Sequence, residues 1–574
     1  MQGGSGGATE SGSRSGDYRA VLELVLVGAI ALAVRLVDLG HPPFIDELHH
    51  LLAAGSLLEN GTLAIHDGVE YLRGRPLTYL VAGFFAVFGQ SLEVARLPAV
   101  ISGVLLVCLL FAWLRAEAGR TAAWIGALLL CFSPIALYLS QWVRFYTLHA
   151  LLFWLGCYGV YRLHTRPTPL PRAVLVGLAT LAAFLAALEL QVTTVVGVGG
   201  VVLFAALVQA PRLIGAARSK ERRWFVVVVA LVALAAAVGL VGLGVVDWLI
   251  DRARRVDVWA LDRADNVRFY HWLLSEQYGF LWLLFPLAVL LALTGRSRRA
   301  ALLFVSVFGV AFVGHSLSAW KSERFLFYAM PAFFAVWAIA AAEAAPRLWQ
   351  RLVTGARSAL EQVPAMSSRP VIGLAVIAAA GFALSGLPAY TTTRVIYFER
   401  ADWTPPPDHK GERYRGHPDW ERAAPVLAAI GDSVEVLIGQ PDMKVIYYLG
   451  DADYLLEAGY LVAIGSRYAE PEVHPEFSMW SKVGRPLVST PESIALIVNC
   501  HTTGLLVAEE HVWNWRWAVP RATAEFIEQN LQAVDLPDDT GILAFRWETS
   551  DVEDSARCDS IRRERPGSSV RPVS

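Results

Sequence analysis

The segment at residues 173–189 reads AVLVGLATLAAFLAALE, and its first sixteen residues carry no charge. A helix of about 20 mostly apolar residues is long enough to cross the hydrocarbon core of a bilayer. Runs of this kind recur along the first two thirds of the chain, at 20–37, 96–114, 121–139, 146–162, 173–189, 192–210, 224–246, 279–294, 301–319, 325–345 and 370–388. The sequence therefore predicts a polytopic α-helical membrane protein with about eleven transmembrane helices.

The composition agrees with that fold class. Of the 574 residues, 55% are hydrophobic and only 17% are charged, which is an unusual balance for a soluble protein. The net charge of −2 provides no basic surface that would argue for nucleic acid as a partner. The Gly- and Ser-rich segment 1–18 is predicted to be disordered, and the apolar run after it is too long for the core of a signal peptide.

Charge placement predicts the topology of the membrane domain, which we assign to residues 19–389 with a first outer loop at 38–75. A shorter apolar stretch at 76–88 is interpreted as an interfacial or re-entrant helix. The loops on one side then hold 19 Lys/Arg against 5 Asp/Glu, and those on the other side hold 10 against 13. By the positive-inside rule the amino terminus is cytoplasmic, and the odd number of spans places the carboxy-terminal region outside the cell membrane.

The chain changes character after residue 389. Helical patterns at 420–430 and 522–531 alternate with strand-like runs at 434–438, 494–498 and 541–547. This alternation predicts a soluble, extracytoplasmic α/β domain over 390–549, followed by a disordered tail at 550–574. Cys500 and Cys558 could pair in an oxidising compartment, although their spacing forms no recognisable disulfide framework.

Two acidic residues, Asp46 and Glu47, follow the first span in the outer loop. A carboxylate close to an apolar boundary loses hydration, so its placement needs a reason. The functional interpretation is a general base, or a pair that orients an acceptor hydroxyl or a metal; the structural alternative is an acidic first turn of a helix. His49 and His50 would share a helix face with Asp46, for acceptor contact, a proton relay, a metal or packing.

Basic side chains at the predicted outer boundary interrupt the charge trend. They are Arg73, Arg75, Arg144, Lys321 and Arg324. Guanidinium groups suit phosphate oxygens because they make paired, charge-assisted hydrogen bonds. The structural alternative for Lys321 and Arg324 is that their side chains only extend toward the interface. Cations together with a carboxylate on one side of the membrane fit a phosphate-bearing lipid donor and a hydroxyl acceptor.

Several short motifs, in their order, resemble those of the GT-C glycosyltransferases, in particular the protein O-mannosyltransferases and the lipid A aminoarabinose transferases. The resemblance covers roughly residues 20–390. The motifs are PFIDE at 43–47, RPLTY at 75–79, FGQSLEVARLP at 88–98, FSP at 132–134, SQWVR at 140–144 and RFLFY at 324–328, which leads to Pro331.

This resemblance implies transfer of a monosaccharide from a polyprenyl-phosphate donor to a hydroxyl of a protein, glycan or lipid at the outer face. Asp46 would activate the acceptor for attack on the anomeric carbon, with inversion, and Glu47 is the second catalytic candidate. The donor phosphate would be held by Arg144, Lys321 and Arg324, with Tyr328 as a hydrogen-bond partner.

One departure from the family pattern concerns the second acidic residue that many relatives carry after the third span. This chain has Tyr146 there, and Glu47, Glu189 or Glu323 would have to substitute. Fewer oxygen ligands also make a divalent metal allowed but not expected. The remaining candidates for substrate binding are His49, His50, Arg73, Arg75, Tyr146 and Glu189.

Two other functions stay open at this point. A transporter or flippase would need broken helices or polar residues at mid-membrane, but the predicted spans are mostly uninterrupted Ala, Leu and Val. A non-catalytic scaffold would tolerate the substitution Asp46→Asn.

Overall fold

The computed structural model describes residues 9–66, 69–218, 266–359, 418–458, 469–474, 477–480, 483–514, 518–550 and 556–563, with the single positions 244 and 247. The chain divides into two compact units. The helical unit comprises residues 1–37, 99–141 and 145–396, and the sheet unit comprises residues 38–98, 142–144 and 397–574. The first outer loop therefore belongs to the same unit as the carboxy-terminal region.

The helices are numbered in chain order. They are α1 Thr9–Arg35, α2 Ile45–Asn60, α3 Arg75–Phe88, α4 Leu92–Ala118, α5 Arg120–Cys131, α6 Pro134–Ser140, α7 Tyr146–Thr165, α8 Leu170–Leu190, α9 Thr194–Arg218, α10 Phe269–Leu283, α11 Phe285–Thr294, α12 Arg298–Leu317, α13 Glu323–Leu326, α14 Met330–Ala359, α15 Trp420–Gly431, α16 Asp442–Leu449, α17 Pro491–Cys500, α18 Arg521–Asn530 and α19 Ala556–Arg563. Two 3₁₀ turns, at Phe327–Ala329 and Glu510–Val512, complete the set in the described residues.

The predicted transmembrane segments that fall in the described residues are largely helical. Five segments are long and apolar enough to cross a membrane, and two bent helix pairs raise that number to seven; the five are α4, α8, α12, Thr194–Pro211 and Glu323–Ala344. The more polar helices α1 and α7 cover two further predicted spans. The predicted spans 224–246 and 370–388 lie outside the described residues, and the polytopic helical fold class is confirmed.

Two spans predicted as continuous are bent instead. Helices α5 and α6 meet at 60°, and α10 and α11 meet at 49°. Pro134 disfavours the helical conformation at the residue before it, and Ser133 is extended with φ −64° and ψ 125°. A proline also lies in the first turn of α11, where it favours a helix start because its missing N–H needs no partner there.

The short apolar stretch forms α3, which has 14 residues. At 1.5 Å per residue it is about 21 Å long, shorter than the roughly 30 Å hydrocarbon core. Its buried face includes Leu77, Val81 and Phe85, whereas Val87 and Phe88 are exposed. This amphipathic pattern fits the predicted interfacial helix.

The sheet unit contains a two-stranded hairpin and an eight-stranded mixed sheet. The strands are β1 Ala64–His66, β2 Val69–Glu70, β3 Val436–Gly439, β4 Tyr454–Leu456, β5 Ala469–His474, β6 Phe477–Trp480, β7 Arg485–Val488, β8 Thr503–Glu509, β9 Gln532–Ala533 and β10 Ile542–Glu548. The order across the large sheet is β5-β6-β7-β4-β3-β8-β10-β9. Strands β7, β4, β3 and β8 are mutually parallel, and the other pairings are antiparallel.

Both faces of the sheet are covered by apolar side chains. Along β3, Val436 and Ile438 belong to one buried cluster and Leu437 to the other, as expected from the two-residue period of a strand. The second cluster also contains Leu48 from α2 and Ile65 from β1. The first outer loop and the carboxy-terminal domain thus share one hydrophobic core.

Most of the predicted elements of the α/β domain are observed: α15, α18, β3 and β10 match the patterns at 420–430, 522–531, 434–438 and 541–547. The predicted strand at 494–498 is wrong, because these residues lie within α17. Thr490 accepts a hydrogen bond from the Ser493 amide and Pro491 occupies the first turn, so the local sequence starts a helix there.

The chain ends differ from the predicted disorder at two places. Helix α1 begins at Thr9, within the segment 1–18. Helix α19 lies within the tail 550–574, and its Cys558 forms a disulfide with Cys500 at the end of α17.

Candidate active site

Asp46 and Glu47 lie in the first turn of α2, in the sheet unit. The Glu47 carboxylate reaches back to accept a hydrogen bond from the Phe44 amide at 2.8 Å. That contact is one half of a capping box, since it satisfies an amide at the start of the helix. Glu47 therefore fits the structural alternative, in which an acidic residue stabilises the first turn of a helix.

Glu47 is fully buried and tightly paired. Arg96 donates to both carboxylate oxygens, from Nε at 2.9 Å and from Nη2 at 2.8 Å, and the Val143 amide donates at 2.8 Å. Burial raises the pKa of Glu47, but the charge and hydrogen bonds of Arg96 outweigh it, so the pKa lies below its ordinary value. Glu47 is therefore ionised, and its carboxylate oxygens are fully occupied by hydrogen bonds.

The neighbouring Asp46 has a different environment. Its side chain is 27% exposed, and its Oδ2 lies 3.6 Å from Nη2 of Arg144, which is 1% exposed. Arg144 also donates from Nη1 to the Asp46 backbone oxygen at 3.0 Å and to the Tyr71 hydroxyl at 3.1 Å. Of the two adjacent carboxylates, only that of Asp46 is accessible to solvent.

The two predicted histidines lie beside this ion pair. His49 and His50 are buried, and both rings contact Tyr71 with centroid distances of 5.0 Å. Nδ1 of His50 lies 2.9 Å from the Thr78 hydroxyl. Burial, reinforced by the charge of Arg144, lowers the pKa of His50 well below its ordinary value, so the ring is neutral at physiological pH.

Arg73 and Arg75 belong to the same unit but are exposed, next to the start of α3. Tyr71 and Arg96 were not predicted as site residues. Arg96 lies within one of the quoted motifs, but only the fold brings it to Glu47, from which it is 49 residues distant in sequence.

The helical unit contains the other predicted cations. Lys321 is buried, and its ammonium group donates to the Ser318 backbone oxygen. The guanidinium carbon of Arg324 lies 5.9 Å from the ring centroid of Tyr146 and 5.8 Å from that of Phe325, within the range of cation–π attraction. Tyr146, which stands where relatives carry an acidic residue, thus contacts a predicted phosphate-binding arginine.

Tyr328 is buried in the helical unit. Its hydroxyl lies 3.3 Å from Nε2 of His315, and its ring makes an edge contact with His149. His149 in turn lies 2.8 Å from the Thr194 hydroxyl. Neither histidine was predicted as a site residue, although an ionisable residue within a membrane helix is a signal of function.

The acidic candidates for replacing the second carboxylate lie in different settings. Glu189 is exposed in the last turn of α8. Glu323 accepts a hydrogen bond from Nε2 of Gln277 at 3.2 Å. Within the described part of the chain, no group of three or more His, Cys, Asp or Glu side chains is arranged to hold a metal ion.

No protein-family model and no curated protein matches the chain. Solved structures do match. ArnT from Cupriavidus metallidurans bound to undecaprenyl phosphate has a TM-score of 0.58 and 16% identity, covering 92% of this chain and 99% of that one. The oligosaccharyltransferase AglB from Archaeoglobus fulgidus, in complex with an inhibitory peptide and a dolichol-phosphate, has a TM-score of 0.52 and 14% identity, covering 93% and 74%.

The apo form of the same ArnT matches similarly, with a TM-score of 0.59 over 94% of this chain. The likeness extends over both the membrane helices and the sheet-containing domain. The chain therefore has the fold of ArnT and of AglB.

Proposed function

We propose that this protein is a glycosyltransferase that moves a monosaccharide from a polyprenyl-phosphate donor to an acceptor hydroxyl at the outer face of the membrane. The observation that carries the proposal is the pair formed by the accessible Asp46 and the buried Arg144, at 3.6 Å, in a chain with the ArnT fold. Two of the similar proteins were solved with undecaprenyl phosphate or dolichol-phosphate bound. A polyprenyl phosphate is therefore the carrier that the comparison favours.

Asp46 is the proposed general base. It would take the proton of the acceptor hydroxyl as the acceptor oxygen forms a bond to the anomeric carbon. The bond from that carbon to the phosphate oxygen breaks, and its electron pair leaves with the polyprenyl phosphate. Direct displacement of this kind inverts the anomeric carbon. Glu47, whose oxygens already accept four hydrogen bonds, is not proposed as the base.

The cations are proposed to stabilise the leaving phosphate. Arg144 is proposed to supply positive charge beside Asp46. Lys321, Arg324 and Tyr328, which the family resemblance implies as phosphate ligands, stay proposed in that role. Fixed donors aimed at developing charge lower the barrier because they need no reorganisation during the reaction. His49, His50, Arg73, Arg75, Tyr146 and Glu189 remain proposed contacts to substrate.

The proposed topology puts the amino terminus in the cytoplasm and the sheet unit outside the plasma membrane. The lysines and arginines in the predicted cytoplasmic loops support it. The disulfide between Cys500 and Cys558 supports it independently, because such bonds persist in oxidising compartments.

The test uses purified protein in proteoliposomes with a panel of radiolabelled polyprenyl-phosphate sugars and a membrane extract as the source of acceptors. Transfer of label to the extract with release of free polyprenyl phosphate is the expected result. The variant Asp46→Asn should slow this transfer. Its matched control is Glu492→Gln, which removes an exposed carboxylate from α17 and should keep the transfer. Movement of intact donor across the bilayer without release of polyprenyl phosphate would favour the transport alternative and refute the proposal.

A further inference from the structure

The residues around Glu47 form a buried clamp that ties together three separate parts of the sheet unit. Each carboxylate oxygen accepts two hydrogen bonds: Oε1 from Nε of Arg96 and the Val143 amide, and Oε2 from Nη2 of Arg96 and the Phe44 amide. A carboxylate has about four lone-pair positions, so all of them are occupied. The ion pair itself is completely buried.

Arg96 extends the clamp to the start of the outer loop. Its Nη1 donates to the backbone oxygens of Leu39 at 2.5 Å and His41 at 2.8 Å. One guanidinium therefore fixes the backbone before α2 and, through Glu47, the first turn of α2. Lysine could not reproduce this arrangement, because an ammonium group lacks the planar set of donors.

The clamp includes a sequence neighbour of each member of the Asp46–Arg144 pair, namely Glu47 and Val143. Asp46 precedes Glu47 in α2, where adjacent residues point about 100° apart, so burying Glu47 fixes the direction of Asp46. Arg144 follows Val143, whose amide is bound to Glu47 at 2.8 Å. Stacking of Phe44 on Trp142, with centroids 4.8 Å apart, joins the same two segments.

We infer that Glu47 and Arg96 are positioning residues, whose hydrogen bonds set the spacing between Asp46 and Arg144 for sugar transfer. The inference deepens the proposed function and rests on it. Glu47 acts through its backbone contacts as well as its charge. An exchange of the two charges, Glu47→Arg with Arg96→Glu, therefore removes the clamp, because a guanidinium cannot accept the hydrogen bonds of Phe44 and Val143.

The experiment compares Glu47→Gln and the charge exchange with wild type, in the full-length protein. The matched control is Glu509→Gln, which alters another buried ion pair of the same unit, formed with Lys444 at 2.7 Å. Kinetics well below each melting temperature should show kcat reduced about 100-fold in Glu47→Gln, as expected for a misplaced base, with donor KM changed less than about tenfold. The charge exchange should not restore kcat, and Glu509→Gln should keep it.

Hydrogen exchange supplies a readout that does not depend on activity. The amides of Phe44 and Val143 should exchange faster in Glu47→Gln than in wild type and in Glu509→Gln. Unchanged protection of these amides, full kcat in Glu47→Gln, or restored kcat in the charge exchange would each overturn the inference. Failure of the proposed function is recognised separately, as inactivity of the wild type with every donor.

Discussion

The substitution Arg96→Ala removes the two hydrogen bonds that the Arg96 side chain donates to the buried Glu47 carboxylate. Breaking a fully buried ion pair by deleting one partner costs about 3–5 kcal/mol, because the remaining charge stays away from water. For a unit of this size, 1 kcal/mol corresponds to roughly 2–4 °C in melting temperature. The expected decrease at pH 7 is therefore about 6–20 °C.

The contribution of Glu47 to the pH dependence of stability should change sign in Arg96→Ala. In wild type the pKa of Glu47 is lowered, so its contribution to stability is present at neutral pH and is lost as the pH falls through that lowered value. Without Arg96 the effect of burial dominates and raises the pKa. The folded variant then binds the proton more readily than the unfolded chain, and it gains stability as the pH falls from 7 toward about 5.

Melting curves of purified protein across this pH range provide the assay, with loss of tryptophan fluorescence as the signal. A melting temperature of Arg96→Ala within about 2 °C of wild type at pH 7 would show that the ion pair contributes little to stability. A further loss of stability in the variant between pH 7 and pH 5, relative to wild type, would show that the pKa of Glu47 is not raised.

Three further outcomes are expected. Replacing Cys500 by Ser should lower the stability of the sheet unit by about 2–4 kcal/mol, because the disulfide closes a loop of 58 residues; reductant should destabilise the wild type equally, and an unchanged melting temperature would contradict this. A spin label on a cysteine at Val87, exposed on α3, should report the depth of the headgroup region in bilayers, and a label at mid-bilayer depth would contradict the interfacial assignment. Arg485→Met should destabilise the sheet unit less at low pH than at neutral pH. Burial raises the pKa of Asp451, but His66 and Arg485 outweigh it, so the pKa is lowered and the stability that the ionised Asp451 contributes is lost on acidification. An equal loss of stability at both pH values would contradict this prediction.

The fold was predictable where one physical signal dominates. Long apolar runs such as 173–189 have few alternatives to a membrane helix, and this segment is observed within α8. The bend before Pro134 could have been predicted, since proline restricts the backbone conformation of the residue before it. The apolar run at 494–498 was not decided by its own composition, because short apolar runs suit either strand or helix and the flanking cap at Thr490 determined the outcome.

The site was predictable only in part. Asp46 and the boundary cations stand out because charge near a membrane is costly. The different environments of Asp46 and Glu47 could not be predicted, since they depend on Arg96 and Val143, which lie 49 and 96 residues from Glu47. Long-range pairing of this kind follows from packing and has no local signature in the sequence.

Asp46 is proposed to activate an acceptor hydroxyl for attack on a polyprenyl-phosphate sugar. A single-turnover measurement of sugar transfer by wild type and by Asp46→Asn tests this role, with enzyme in excess over a labelled donor that the wild type accepts. We expect the rate of transfer in Asp46→Asn to fall by about 100-fold or more while the donor still binds, in line with the loss of a general base. Transfer by Asp46→Asn at the wild-type rate would show that Asp46 is not the general base.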